Sequence, residues 1–82
     1  MKLEVLTPDQ SLFSGEVDAV TLPGAKGSFQ ILNSHAPLIS ILVEGNLVYQ
    51  VSGENKSIAI SGGTIEVKNN VIIVLADGLV AE

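Results

Sequence analysis

The stretch Thr64-Ile65-Glu66-Val67-Lys68-Asn69-Asn70-Val71-Ile72-Ile73-Val74-Leu75-Ala76 decides the fold class. Ile65 and Val67 alternate with Thr64, Glu66 and Lys68, the period of two that marks a strand with one buried face. Lys68-Asn69-Asn70 then reverses the chain into the six apolar residues Val71–Ala76, which read as a second strand. Two strands joined by a tight turn are an antiparallel unit.

The same rhythm runs outward in both directions. Upstream, Ser57–Ile60 runs into Ser61-Gly62-Gly63, where paired glycines mark a bulge or a close backbone approach. Leu38 to Val43 ends at Glu44-Gly45-Asn46, a hairpin signal leading into Leu47-Val48-Tyr49-Gln50-Val51, and Ser52-Gly53-Glu54-Asn55 makes the next turn. Near the amino terminus Lys2–Leu6 alternates, Thr7-Pro8-Asp9-Gln10 turns, and Val17–Leu22 forms the second strand. Pro23-Gly24-Ala25-Lys26-Gly27 is a turn-rich tip, with proline fixing the first corner, and a strand follows through Phe29 and Ile31. No window holds an apolar pattern of helical period and length, and no long repeat is visible. The expectation is all-β: a compact antiparallel β-sandwich or flattened barrel of about 8–10 short strands.

Composition narrows the function. With 82 residues the chain makes one small domain, residues 1–82, too small to enclose a large ligand cavity as well as a core. Nine acidic residues against four lysines, with no arginine, give a net charge of −5 and exclude the counterion-releasing surface that nucleic acid requires. There is no cysteine and one histidine, so neither thiolate nor His-rich metal sites can be built. Met1-Lys2-Leu3-Glu4-Val5 lacks the pattern of a leader, so the mature chain is expected to start there, and the apolar runs fall far short of the ~20 residues that span a bilayer. Nevertheless 46% of residues are hydrophobic, an excess that implies an almost purely aliphatic core and an apolar face meant for a partner.

Catalytic constellations fail one by one. Every nucleophilic triad would depend on His35, which precedes the rigid Ala36-Pro37 corner and reads more simply as a structural imidazole bonding loop backbone or a partner. Gly24-Ala25-Lys26-Gly27 lacks P-loop spacing and a following helix. Lys26 on a tight turn also suits a lipoyl- or biotinyl-type carrier domain, although its neighbours are not those that such carriers display. Glu44, Glu54, Asp77 and Glu66 read as solvated carboxylates. No cofactor, metal or small-molecule substrate is expected, and the chain reads as a non-enzyme.

Three blocks, in this order and spacing, resemble a known family. They are Leu12-Phe13-Ser14-Gly15-Glu16-Val17 running into Val20-Thr21-Leu22-Pro23-Gly24; Ile31-Leu32 with His35-Ala36-Pro37-Leu38; and Ser61-Gly62-Gly63 with Ile65-Glu66-Val67 and Val74-Leu75-Ala76-Asp77. Together they resemble the N-terminal β-sandwich of the epsilon subunit of F-type ATP synthases, counterpart of the mitochondrial delta subunit. The resemblance implies a non-catalytic rotor subunit of the central stalk that joins gamma to the c-ring and couples ion-driven rotation to ATP synthesis. It implies a peripheral position on the cytoplasmic side of the cell inner membrane. By the same resemblance His35, Ala36, Pro37 and Leu38 lie at the gamma interface, and Gly24, Ala25, Lys26, Gly27 and Ser28 form the loop facing the c-ring. A Leu38→Asp change is then expected to abolish gamma binding with the fold intact.

The chain also departs from the family. Gln30-Ile31-Leu32-Asn33-Ser34-His35 stands where the family usually shows Gly-Ile-Leu-Pro-Gly-His, so the loop before the histidine should differ in backbone shape. After Asp77 the family normally continues into a two-helix hairpin, whereas Gly78-Leu79-Val80-Ala81-Glu82 ends this sequence; the expectation is a naturally short form lacking the C-terminal helical domain. A free-standing β-sandwich adaptor with an unrelated apolar partner remains an alternative to the rotor and carrier readings.

Overall fold

The computed structural model describes residues 1–80; Ala81 and Glu82, the end of the expected closing tail, lie outside the described residues. Nine strands follow one another: β1 (Lys2–Leu6), β2 (Ser11–Glu16), β3 (Ala19–Gly24), β4 (Gly27–Leu32), β5 (Leu38–Leu42), β6 (Gly45–Val51), β7 (Glu54–Ile60), β8 (Gly63–Lys68) and β9 (Val71–Ala76). They form a single curled sheet in the order β2-β1-β9-β8-β5-β3-β6-β7, with β4 on the flank of β3. Only the pair Gly24 and Leu42 joins β3 to β5, so the sheet folds over at that point into two layers. Every pairing is antiparallel except β1 with β9, where Leu3 lies beside Ile72 and Val5 beside Val74. The expected all-β sandwich is thus present, with one parallel seam between the first and last strands.

Alternation places the core. In β8 Gly63, Ile65 and Val67 are buried and Thr64, Glu66 and Lys68 exposed, the pattern read from sequence. Leu3, Val5, Ile65, Ile72 and Val74 from one layer meet Val20, Leu22, Ile31, Leu47 and Ile60 from the other, each at most 1% exposed. No polar side chain is buried among the described residues. An interior that is aliphatic apart from Tyr49 needs few internal hydrogen-bond partners, and its branched side chains pack densely on pleated sheets. Phe13 and Tyr49 add an aromatic pair at the margin, with ring centroids 4.4 Å apart.

Three local expectations are corrected. Ser11–Glu16 is a strand that the sequence reading passed over; it is an edge strand whose ladder comes from β1, so its mixed, half-buried residues carry no clean alternation. Glu44-Gly45-Asn46 is not a hairpin: β5 pairs with β8, whereas β6 pairs with β3 and β7, and Val43-Glu44 carries the chain between layers. Pro23 is not the corner of the β3–β4 turn but lies within β3. Its missing N–H faces away from the β4 ladder, and its carbonyl accepts from the Val43 N–H at 2.9 Å. The central turn residues are Ala25 and Lys26, and Gly27 takes the positive φ of 121°.

Two tight turns match their residues. Asn69 and Asn70 both have left-handed backbones (φ 53° and 61°), as do Ser52 and Gly53 (φ 51° and 80°). Those values suit two-residue hairpin loops, whose twist follows that of the strands. Gly62 and Gly63 (φ 137° and 148°) mark the close approach expected of them: a Cβ on Gly63 would collide with the Leu75 carbonyl oxygen. Beyond β9 the chain folds back along β7, with Leu79 opposite Ile60 and the Val80 N–H on the Ala59 carbonyl at 3.1 Å.

Candidate functional site

The apolar excess comes to the surface on the outer face of β5, β8, β9 and β1. Cross-strand registers line up two rows there: Ile39, Glu66, Ile73 and Glu4, and then Ile41, Thr64, Leu75 and Leu6. Ile39 is 75% exposed, Ile41 64% and Leu75 53%. Aliphatic side chains from β5 and β9 flank Thr64 and Glu66 of β8, so the face is a shallow apolar trough with the Glu66 carboxylate in it and Glu4 at its β1 margin. Branched side chains held rigid on a sheet, with few charges among them, offer area to a protein partner and no chemistry to a substrate.

Alternation explains why this face exists. Val71, Ile73 and Leu75 point opposite to the buried Ile72, Val74 and Ala76, so β9 is apolar on both sides. The same holds for β5, where Ile39 and Ile41 point opposite to Leu42. A strand apolar on both faces normally lies between two layers, yet here only one layer covers it.

The residues singled out in the sequence sit around β5. Gly24–Ser28 form the tip of the β3–β4 hairpin and border an open groove of about 550 Å³ whose opposite wall is Ile39, Ser40 and Ile41. Lys26 is exposed on the turn and makes no ion pair among the described residues. Gly24 is buried, and a Cβ there would stand 2.7 Å from both the Gly27 carbonyl oxygen and a ring carbon of Phe29. The second set, His35, Ala36, Pro37 and Leu38, enters the other end of β5. His35, Ala36 and Pro37 are exposed, and Pro37 and Leu38 share a shallow depression with Ile39 and Glu66. β5 therefore brings both sets onto one strip with Ile39 between them.

His35 is a surface imidazole whose Nδ1 lies 2.7 Å from the Ala36 carbonyl oxygen, the loop-backbone bond expected of it. Leu38 is half-buried and packs against the core, so Leu38→Asp would disturb folding as well as any contact and is a poor probe of binding. The loop before His35 differs from the family pattern through its own device. Ser34 adopts a left-handed backbone (φ 63°), its N–H donates to Asn70 Oδ1 at 2.8 Å, and Asn70 Nδ2 donates to Asn33 Oδ1 at 2.9 Å.

Sequence reading missed Ile39, Ile41, Ile73 and Leu75 as site residues. Their only signal was the unbroken apolar run in each strand, which by itself cannot say whether the second face meets another layer, a partner or solvent.

Residues 1–82 match the family model described as the beta-sandwich domain of the ATP synthase delta/epsilon chain. The chain is 47% identical over 76 residues to the ATP synthase epsilon chain of Desulforamulus reducens and 48% identical over 77 residues to that of Carboxydothermus hydrogenoformans. Those alignments cover 93% and 94% of this chain and 58% of each relative. To the epsilon chain of Wolinella succinogenes it is 43% identical over 82 residues, 63% of that relative. The chain thus spans about three fifths of the length of these relatives. Among solved structures, a chain of the Euglena gracilis mitochondrial ATP synthase (OSCP/F1/c-ring) superposes with a TM-score of 0.88 at 25% identity, over 95% of this chain and 51% of that one. A chain of the Tetrahymena thermophila central stalk/c-ring shares the fold with a TM-score of 0.82 at 17% identity, covering 96% and 64%.

Proposed function

The chain belongs to the beta-sandwich family of ATP synthase delta/epsilon chains, and from that membership we propose that it is a non-catalytic rotor subunit of the central stalk. In this reading it joins gamma to the c-ring and passes ion-driven rotation to gamma, as a peripheral component on the cytoplasmic side of the cell inner membrane. Gamma covers the apolar face around Ile39, Ile41 and Leu75 and reaches the neighbouring His35, Ala36, Pro37 and Leu38. The tip Gly24–Ser28, carrying Lys26, faces the polar loops of the ring. The family match favours this reading over a lipoyl- or biotinyl-type carrier displaying Lys26 and over a free-standing adaptor.

The observation that carries the proposal is the uncovered apolar face on a rigid sheet. A joint under torque needs a body that does not deform and a contact that does not let go during a turn. Two packed layers with an almost wholly aliphatic core supply the first. The second requires a durable interface, and durable interfaces are larger and more apolar than transient ones. A standard interface takes about 800 Å² from each partner, roughly a sixth of the 4846 Å² surface of the described chain, which one face of one layer can provide.

Affinity capture of the tagged chain from detergent-solubilised membranes tests the proposal. Gamma and the c subunit should be recovered in fixed proportion; capture without either overturns it.

A further inference from the structure

The strand that carries Ile39 and Ile41 also has an unfilled backbone edge. In the β5–β8 ladder Ser40 lies opposite Ile65 and Leu42 opposite Gly63. On the other side of β5 the Ala25 N–H donates to the Ile41 carbonyl at 3.2 Å and the Val43 N–H to the Pro23 carbonyl at 2.9 Å. Ile41 and Val43 therefore turn their backbone groups away from β8. Because backbone direction alternates along a strand, so does Ile39. Beyond Ile41 the β3–β4 hairpin turns away. The Ile39 N–H and C=O and the Ile41 N–H are left facing the groove, with no partner among the described residues.

The edge strands β7 and β2 carry charge, and β5 does not. β7 carries Glu54 and Lys56, and residues 78–80 fold back over its end. β2 ends at Glu16. Leu38-Ile39-Ser40-Ile41-Leu42 contains no charge, proline or glycine, so nothing on this strand discourages another strand from pairing with it.

We propose that the occupant of this groove is an extended segment of gamma that adds as a strand to β5, making main-chain hydrogen bonds to Ile39 and Ile41 between β5 and the Gly24–Ser28 tip. This rests on gamma being the partner of the apolar face. Strand addition draws affinity from main-chain bonds and specificity from alternate side chains. Here one side of the added strand meets the ring of Phe29 and the tip glycines, and the ammonium of Lys26 at the groove mouth, which pairs with no carboxylate among the described residues, favours an acidic residue in the segment. The arrangement continues the proposed face from side chains to backbone, and an interface held by both resists slippage along the strand as well as separation.

Proline at position 39 tests this directly, because it removes the N–H that faces the groove and leaves the Leu38 and Ser40 bonds to β8 in place. Ile39→Ala removes the side chain but keeps the N–H. Binding of purified gamma to each variant is measured by titration calorimetry, alongside amide hydrogen exchange of the unmutated chain with and without gamma. The expected result is that Ile39→Pro binds at least about ten-fold more weakly than Ile39→Ala, with the Ile39 and Ile41 amides slowed on complex formation. Should Ile39→Pro fail to fold, Ile41→Pro against Ile41→Ala gives the same comparison, and the exchange experiment needs no variant. If gamma binds but proline and alanine variants are equal, or the two amides exchange as in the free chain, strand addition is wrong and the rotor reading stands. If the unmutated chain does not bind gamma, both fall.

Discussion

Asn70 and Asn33 are joined side chain to side chain, Nδ2 to Oδ1 at 2.9 Å, across the gap between the β8–β9 turn and the loop that leads into β5. The Asn70 Oδ1 simultaneously accepts from the Ser34 N–H at 2.8 Å, so one half-buried side chain anchors the loop that leads into β5 at two points. Both points it holds, Asn33 and Ser34, are the positions at which the sequence departs from the Pro-Gly of the family pattern.

Asn70→Gly isolates that anchor, since glycine adopts the left-handed backbone at least as readily as asparagine. Loss of the two bonds should cost about 1 kcal/mol despite the turn's preference for glycine, whereas Asn69→Gly, with the same backbone demand and no side-chain bond, should cost nothing. Urea titrations of both variants make the comparison; equal midpoints would show that the anchor contributes nothing.

Gly63→Ala should be among the most damaging single-methyl additions in the chain. The new Cβ would meet the Leu75 carbonyl in the β8–β9 ladder, and the backbone at φ 148° is one that alanine avoids. Strain of this kind costs about 1–3 kcal/mol before the collision is counted. Thermal unfolding should show a fall in Tm of several degrees or more; a change within error would mean that the ladder yields without cost.

Ile39→Asp and Ile41→Asp place charge on the proposed gamma face at positions already in water. Stability should change by no more than about 0.5 kcal/mol, while gamma binding weakens by at least about ten-fold through a desolvated, unpaired carboxylate. Ser57→Asp, exposed on the outer side of β7 in the other layer, serves as the control and should bind gamma normally. Calorimetric titration with gamma and a denaturation curve for each variant check both halves.

His35→Ala should leave stability within about 0.5 kcal/mol of the unmutated chain, because the imidazole is exposed and its bond is to the adjacent carbonyl. Leu47→Ala, at a position with no solvent exposure, should cost about 2–5 kcal/mol. Denaturation midpoints for the pair show whether stability resides in the aliphatic interior rather than in the loop residues before β5.

Much of the fold was legible because its signal is local. Thr64–Lys68 alternates strictly and folds as β8; Asn69-Asn70 and Ser52-Gly53 turn where turn formers stand. Ser11–Glu16 escaped notice because an edge strand takes its order from the neighbour it pairs with, and Glu44-Gly45-Asn46 misled because turn residues serve a layer crossing as well as a hairpin. At the candidate site, the motif residues His35–Leu38 and Gly24–Ser28 were visible as blocks of sequence. Ile39, Ile41 and Leu75 were not, since an apolar run looks the same whether its second face is covered or bare.

The sequence alone determined a small, acidic all-β domain with an aliphatic core and more hydrophobic surface than that core could consume. Only the tertiary structure decided that β5 pairs with β8 instead of β6, that β1 closes against β9 in parallel, and hence which strand keeps a bare face and an open edge. The reason is one of range: side-chain alternation is written into adjacent residues, whereas the choice of strand partner depends on contacts across most of the chain length, where loop closure and shared burial compete and no short stretch holds the answer.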